Sequence, residues 1–302
     1  MPKICYVPKN FRDSSLELID KINGVIDEYQ RQDYTLTLRQ CYYQLVARGI
    51  IENNQKVYKT TGSLINDARL AGLIDWNAIE DRTRNLKGLA HWSSPKSIIE
   101  SAAYSYRRDV WLHQNYHVEV WVEKEALANV VGRVANELDV SYFCCRGYVS
   151  QSEMWSAAQR FIRYQSEGKY CVLIHLGDHD PSGIDMSRDI QERLIMFGVN
   201  SNAFEFRRIA LNLEQISLYN PPPNPAKITD SRSTSYINKF GDESWELDAL
   251  EPKVLHDLIT DSVTEFMDEE EVKRVKRQVE SERYVMNSVA ENWETVYEEY
   301  SE

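Results

Sequence analysis

The stretch LIHLGDHDPSGIDM, residues 173–186, runs an apolar segment into two aspartates, Asp178 and Asp180, one residue apart. Carboxylates at i and i+2 reach one side of a turn, where their repulsion is costly unless a cation lies between them. Hard oxygen donors of this kind suit Mg²⁺, with Mn²⁺ as an alternative. A third acid, Glu123, ends another apolar segment in EVWVEKEAL. If the two segments are neighbouring parallel strands, Glu123, Asp178 and Asp180 meet at one sheet edge as ligands for a divalent cation. Asp178, Asp180, Ser182, Gly183 and Asp189 also match the spacing of a calcium loop, but such a loop follows a helix and here a β pattern leads in. Capping of the next helix accounts for one aspartate of the pair, not for both. His179 alternates away from them and is expected in a supporting or exposed position rather than as a ligand.

A second constellation lies in TLRQCYYQLVARG, residues 37–49. Leu38, Cys41, Tyr42, Leu45 and Val46 fall at i, i+3, i+4, i+7 and i+8, so Tyr42 belongs to a buried helical stripe. Tyr43 is rotated by about 100° and stands one turn after Arg39. A phenol beside a guanidinium is a nucleophile in waiting, because the cation favours phenolate and also holds a phosphate oxygen. The alternative is an amphipathic surface tyrosine. Lys124, next to Glu123, reads equally as a phosphate contact or a solvated lysine. Arg69, Arg82 and Arg84, with Lys87, Arg107 and Arg108, are the bases available to line a nucleic-acid channel, or else a mixture of surface charge and helix pairing.

The elements that must hold these residues follow from periodicity. Helical spacing over 14–31, a helix capped by Thr37 that stops at Gly49, and a third from about Gly62 to Gly72 make a helical unit of winged-helix size. From His117 the period is two, and the chain then reads strand (117–123), helix (125–138), strand (140–145), helix (152–167), strand (170–176), helix (182–197), strand (203–209). That alternation predicts a mixed α/β protein with a parallel sheet, divided into residues 1–115 and 116–302. PPPNPAK, residues 221–227, reads as loop, and the chain beyond about Glu251 as helix.

The net charge of −12 is uneven. Residues 1–115 hold 16 Lys+Arg against 13 Asp+Glu, whereas 116–302 hold 19 against 34. Residues 265–302 alone carry 12 acids and 5 bases. The acid thus gathers at the far end, and the front half is mildly basic. Five cysteines, with no CxxC pair, give neither a disulfide framework nor a zinc site. No segment is apolar enough to span a membrane and no signal-peptide core is seen, so a cytoplasmic, nucleoid-associated protein is expected.

Glu123 followed by the D-x-D of Asp178 and Asp180 resembles the Toprim domain of topoisomerases, primases and some nucleases. Arg39-Gln40-Cys41-Tyr42-Tyr43 resembles the R-x-x-[FY]-Y motif of the topoisomerase VI A subunit and its relative, the meiotic double-strand-break transesterase. WELDAL, residues 245–250, is similar to that family's closing motif, and the order of parts agrees over most of residues 30–250. The resemblance implies a winged-helix domain like that of catabolite activator protein, followed by a Toprim domain. It also implies Tyr43 as attacking residue, Arg39 as its companion, and Mg²⁺ on Glu123, Asp178 and Asp180. The partners implied are double-stranded DNA and a second copy in a twofold dimer, in which the tyrosine of one protomer works with the metal of the other. No Gly-rich ATPase motif is present, so ATP-driven strand passage needs a separate ATPase subunit. Two other functions fit the same residues: a Toprim nuclease that uses metal-activated water, and a non-catalytic DNA-binding or assembly module.

Overall fold

The computed structural model describes residues 3–32, 34–80, 89–225 and 232–300. Apolar residues at helical spacing make α1 (Asp13–Gln30), which buries Ile19, Ile22, Val25, Ile26 and Tyr29. Thr37 and Gln40 form a reciprocal capping box at the start of α2 (Leu38–Ala47), and Gly49 follows its end with a φ of +64°. The third helix, α3 (Gln55–Leu70), starts about two turns earlier than its apolar spacing indicates, because Asn54 accepts from the Val57 amide at 2.9 Å and caps it there. Gly62 then lies inside the helix, where a Cβ would stand 3.1 Å from Leu38 Cδ2. These helices share a core of Ile22, Val25, Leu36, Cys41, Leu45, Ile65 and Ile74. Among the described residues up to 80, β pairing is confined to two isolated bridges, Cys5 with Ala71 and Leu36 with Ile79.

A helix not anticipated from periodicity, α4 (Pro95–Ser105), precedes the sheet and is capped by Ser94. There follow β1 (Tyr116–Val122), α5 (Ala128–Glu137), β2 (Ser141–Cys144), α6 (Gln151–Ser166), β3 (Tyr170–Leu176), α7 (Pro181–Met196) and β4 (Phe204–Ala210). The four strands form one parallel sheet in the order β2-β1-β3-β4, each within a residue or two of its expected bounds. The crossover helices cover both faces. Val118, Val120, Val122, Val172, Ile174 and Leu176 pack towards α5. Trp121, Cys171 and Leu173 pack towards α6 and α7. The alternation of β1 is therefore not one of core against solvent: Glu119 is 1% exposed, its carboxylate taken up by Arg160 at 2.6 and 2.9 Å, His117 at 2.9 Å and Trp121 Nε1 at 2.9 Å. A central parallel strand buries both its faces, and a polar residue persists there only when fully bonded.

The chain continues through α8 (Leu213–Tyr219), β5 (Asn224–Pro225), α9 (Ser233–Phe240), β6 (Glu243–Ser244), α10 (Pro252–Thr264), α11 (Glu269–Glu291) and α12 (Trp293–Tyr300). Pairing of β5 with β6 corrects the reading of PPPNPAK as pure loop: two residues of it join a minimal antiparallel ladder. The helical reading beyond Glu251 agrees with α10 to α12. α11 packs along α4, and Glu282 there holds Arg108 through bonds of 2.9 and 2.8 Å. No helix among the described residues is long and apolar enough to cross a membrane.

Candidate functional site

Val122 pairs with Leu176, so the chain leaves β1 and β3 side by side at the carboxyl edge of the sheet. In open parallel sheets ligands bind at that edge. Glu123 lies there and accepts from the Asp178 amide at 2.9 Å through Oε2. Asp180 is engaged separately: its Oδ1 accepts from the Gly183 amide at 2.6 Å and caps α7. Gly183 is required at this point, since a Cβ on it would collide with the Asp178 carbonyl and stand 3.0 Å from Glu123 Oε2. Arg208, on β4, underpins the turn by donating to the carbonyls of Gly177 at 2.9 Å, Asp178 at 2.6 Å and Gly183 at 3.1 Å. Burial pulls its guanidinium down to about 10.

Asp178 joins this turn to a group of acids that periodicity did not single out. His179 and Trp245 exchange backbone hydrogen bonds at 2.9 Å, an isolated antiparallel bridge that lays residues 245–250 beside the turn. Asp178 Oδ1 accepts from the Leu247 amide at 2.8 Å. Glu246 and Asp248 are thereby drawn to Asp178, and the carboxylate oxygens of these three residues lie within 4.8 Å of one another. The ammonium of Lys124 sits among them, 2.8 Å from Asp178 Oδ1, 3.1 Å from Asp248 Oδ1 and bonded to Glu246. Arg39 closes the other side, with Nε 2.8 Å from Asp248 Oδ2 and Nη2 3.0 Å from Glu246 Oε2. Its guanidinium lies 5.3 Å from the centre of the Tyr43 ring.

The structure therefore brings Tyr43, Arg39, Lys124 and Asp178 together, adds Glu246 and Asp248, and engages Glu123 and Asp180 with the backbone amides of Asp178 and Gly183. Several of these side chains stand otherwise than their spacing alone indicates, whereas His179 takes the supporting position expected of it. Tyr43 is no surface residue: it is 8% exposed and packs with Tyr42 and Val46 against Val57 and Tyr58. Its phenol does not favour ionisation. Burial and the charge of Glu246 push it well above the ordinary tyrosine range, outweighing Arg39. Lys124 is not solvated, and burial notwithstanding, its carboxylate neighbours hold it firmly charged. His179 is buried, with Nδ1 2.7 Å from the Tyr236 hydroxyl. Arg69 is spent internally, donating to the Trp76 carbonyl at 2.7 Å and stacking on that indole. Arg82 and Arg84, like Lys87, lie outside the described residues.

The charges decide what the site accepts. Burial pushes the carboxyl of Asp178 well up and Lys124 only partly reverses it, because one ammonium is shared by three acids. Glu123 is likewise raised by burial and, in addition, by Asp180. Glu246, despite its burial, is held low by Lys124 and Arg39. Five acids, Glu123, Asp178, Asp180, Glu246 and Asp248, meet three bases, Arg39, Lys124 and Arg208, so carboxyl groups outnumber cations. A divalent cation is the complement of that excess, and clustered carboxylates are its donors. The buried triad of Asp178, Glu246 and Asp248 fits a metal ion, which must displace the Lys124 ammonium to reach all three. Comparison with models of known protein families and with curated proteins finds no match.

Proposed function

We propose that the chain cleaves double-stranded DNA by tyrosyl transesterification, as its resemblance to the topoisomerase VI A subunit implies. In this reading residues 1–115 are the winged-helix unit and 116–302 the Toprim domain with a helical extension. The observation that carries it is the meeting of a phenol, a guanidinium and clustered carboxylates at one sheet edge. The two motifs, about 80 to 140 residues apart in sequence, are joined through Asp248, which pairs with Arg39 on one side and with Lys124, itself paired with Asp178, on the other.

The Tyr43 hydroxyl attacks phosphorus, the bond from phosphorus to the 3′ oxygen breaks, and a 5′-phosphotyrosyl link forms. A carboxylate of the cluster takes the phenol proton, which the buried tyrosine otherwise keeps, and the departing 3′ oxygen gains a proton to become a hydroxyl. Arg39 steers the non-bridging oxygens, and Lys124, once freed, adds a second positive contact. Asp178, with Glu123 and Asp180 or with Glu246 and Asp248, would hold Mg²⁺ or Mn²⁺, which would supply electrostatic stabilisation at the phosphate. A homodimer brings two such sites to the two strands, and strand passage calls for a separate ATPase partner.

Supercoiled DNA incubated with the chain and Mg²⁺ or Mn²⁺, then denatured with detergent, should yield protein covalently attached to 5′ ends. Tyr43→Phe should abolish the attachment. The protonated, buried state of Tyr43 favours a second reading, hydrolysis by metal-activated water. Free 5′-phosphate ends without attached protein, at equal yield in Tyr43→Phe, would establish it. A non-catalytic DNA-binding module predicts no cleavage by either chain.

A further inference from the structure

Tyr58, Ile65, Asn66 and Arg69 fall at i, i+7, i+8 and i+11 and so share one face of α3. All four line a cavity of about 530 Å³. Leu38 and Arg39, at the start of α2, bound it on one side, and Glu125 and Ala126, just beyond β1, on the other. Sites for small organic ligands span about 300–1,000 Å³. Arg39 belongs both to this cavity and to the acid cluster, since it lines the one and bonds Glu246 and Asp248 of the other. Its side chain is 43% exposed, so the acids do not seal it from a ligand.

The acids of the cavity are engaged and its donors are left over. Glu80 accepts from Thr35 Oγ1 at 2.8 Å and from Asn129 at 2.7 Å, and Glu125 pairs with Arg146. Among the described residues, nothing bonds the Asn66 amide or the Tyr58 hydroxyl. Arg69 gives Nη2 to the Trp76 carbonyl, but its Nε is buried without a partner. Unmet donors of this kind are costly unless something else satisfies them. Leu38, Ile65 and Ile79 supply apolar walls, and Tyr42 braces the Tyr58 ring edge-on, with ring centres 5.0 Å apart. A flat heteroaromatic ring bearing an anionic group meets all of these at once. The ring packs on Tyr58, its polar edge bonds the Asn66 amide, which offers one donor and one acceptor as adenine requires, and the anion reaches Arg39. We propose that this cavity binds a nucleotide. Resting on the proposed cleavage of DNA, one source is the nucleotide next to the phosphate held by Arg39, its base turned out of the duplex so that pocket contacts offset the lost stacking. A free nucleotide offers the same chemistry.

Calorimetric titration of the full chain, without metal, with adenosine 5′-monophosphate and with ribose 5-phosphate separates the base from its phosphate. Adenosine monophosphate should bind about tenfold tighter than ribose 5-phosphate. Asn66→Ala should weaken the nucleotide about fivefold, and Tyr58→Phe about threefold, while leaving ribose 5-phosphate and the melting temperature unchanged, because neither polar group has a partner within the chain to lose. If the nucleotide binds no tighter than ribose 5-phosphate, or if Asn66→Ala leaves its affinity as it was, the proposal is overturned. A second measurement distinguishes the sources. Duplexes carrying photoreactive 8-azidoadenine at successive positions are bound and irradiated, and adducts are sought within residues 57–69. An adduct there that excess adenosine monophosphate suppresses and Asn66→Ala removes identifies a DNA base as the occupant. Nucleotide binding without such an adduct from any position assigns the cavity to a free nucleotide. Neither measurement uses cleavage, so failure of the transesterase reading shows separately, as absent covalent attachment.

Discussion

At the scale of single residues, Lys124 is the side chain whose role changes most between sequence and fold. It is an internal cation occupying the point to which three carboxylates converge. Replacing it with methionine leaves those acids facing one another, which should cost about 3 kcal/mol of unfolding free energy without metal. The same change should tighten Mn²⁺ binding about tenfold, equal to about 1.4 kcal/mol, because the metal no longer competes with an ammonium. Calorimetric titration with Mn²⁺ checks this, and unchanged affinity would place the metal elsewhere. Glu119 offers a separate test. Against the cost of burial, Arg160 and His117 hold its carboxyl down at about 2, and burial holds His175 at about 3. Both folded values lie below the unfolded ones, so both groups disfavour the folded state as pH falls. His175 begins to act below about 6.5, and Glu119 below about 4.5. The urea midpoint should therefore decline between pH 6.5 and 3, and Glu119→Gln should flatten the acid part of that decline.

At the scale of elements, the strand, turn and helix around Asp178 were legible and the segment that completes the cluster was not. Apolar runs ending in Glu123 and Asp178 announce two buried parallel strands, and the Val122–Leu176 register puts those acids together. Asp180 shows the limit of such reading: its carboxylate is engaged as a helix cap, the plainer of the two roles weighed for it. Glu246 and Asp248 carry no periodic signal, because they arrive through the bridge between His179 and Trp245, which joins positions distant in sequence. The cue in the sequence is the likeness of WELDAL to a family motif, which marks the segment but gives its two acids no role. The burial of Tyr43 escapes the helical wheel of α2 for a related reason: its cover comes from Val57 and Tyr58 on α3. The tight turn yields a prediction at this scale. Gly183→Ala forces the Asp178 carbonyl and Glu123 apart, and should cost about 1–3 kcal/mol of stability. It should also abolish the rise in melting temperature produced by Mg²⁺, and a variant that keeps that rise would separate the turn from the metal site.

At the scale of the whole molecule, the charge balance and the ion pairs set how DNA is held. Arg69 and Arg108 are engaged within the chain, the latter by Glu282 of the acidic C-terminal helices. Few cations are left among the described residues near the site to neutralise phosphates. DNA binding should accordingly depend weakly on salt, with a log–log slope no steeper than about −4, where many phosphate contacts give about −0.9 each. A steeper slope would require a basic surface beyond the residues described. What the proposed cleavage demands above all is that Tyr43, and not its neighbour Tyr42, carries the DNA. Tyr42 is buried edge-on against Tyr43, their ring centres 5.4 Å apart, and its hydroxyl is bonded to the 52–54 loop. Mass spectrometry of the nuclease-trimmed, trypsin-digested covalent complex, formed with Mg²⁺ on supercoiled DNA, should find the nucleotide on Tyr43 of the peptide spanning residues 40–48. A peptide that remains unmodified while the DNA is cut, or a nucleotide on another tyrosine, would contradict the account.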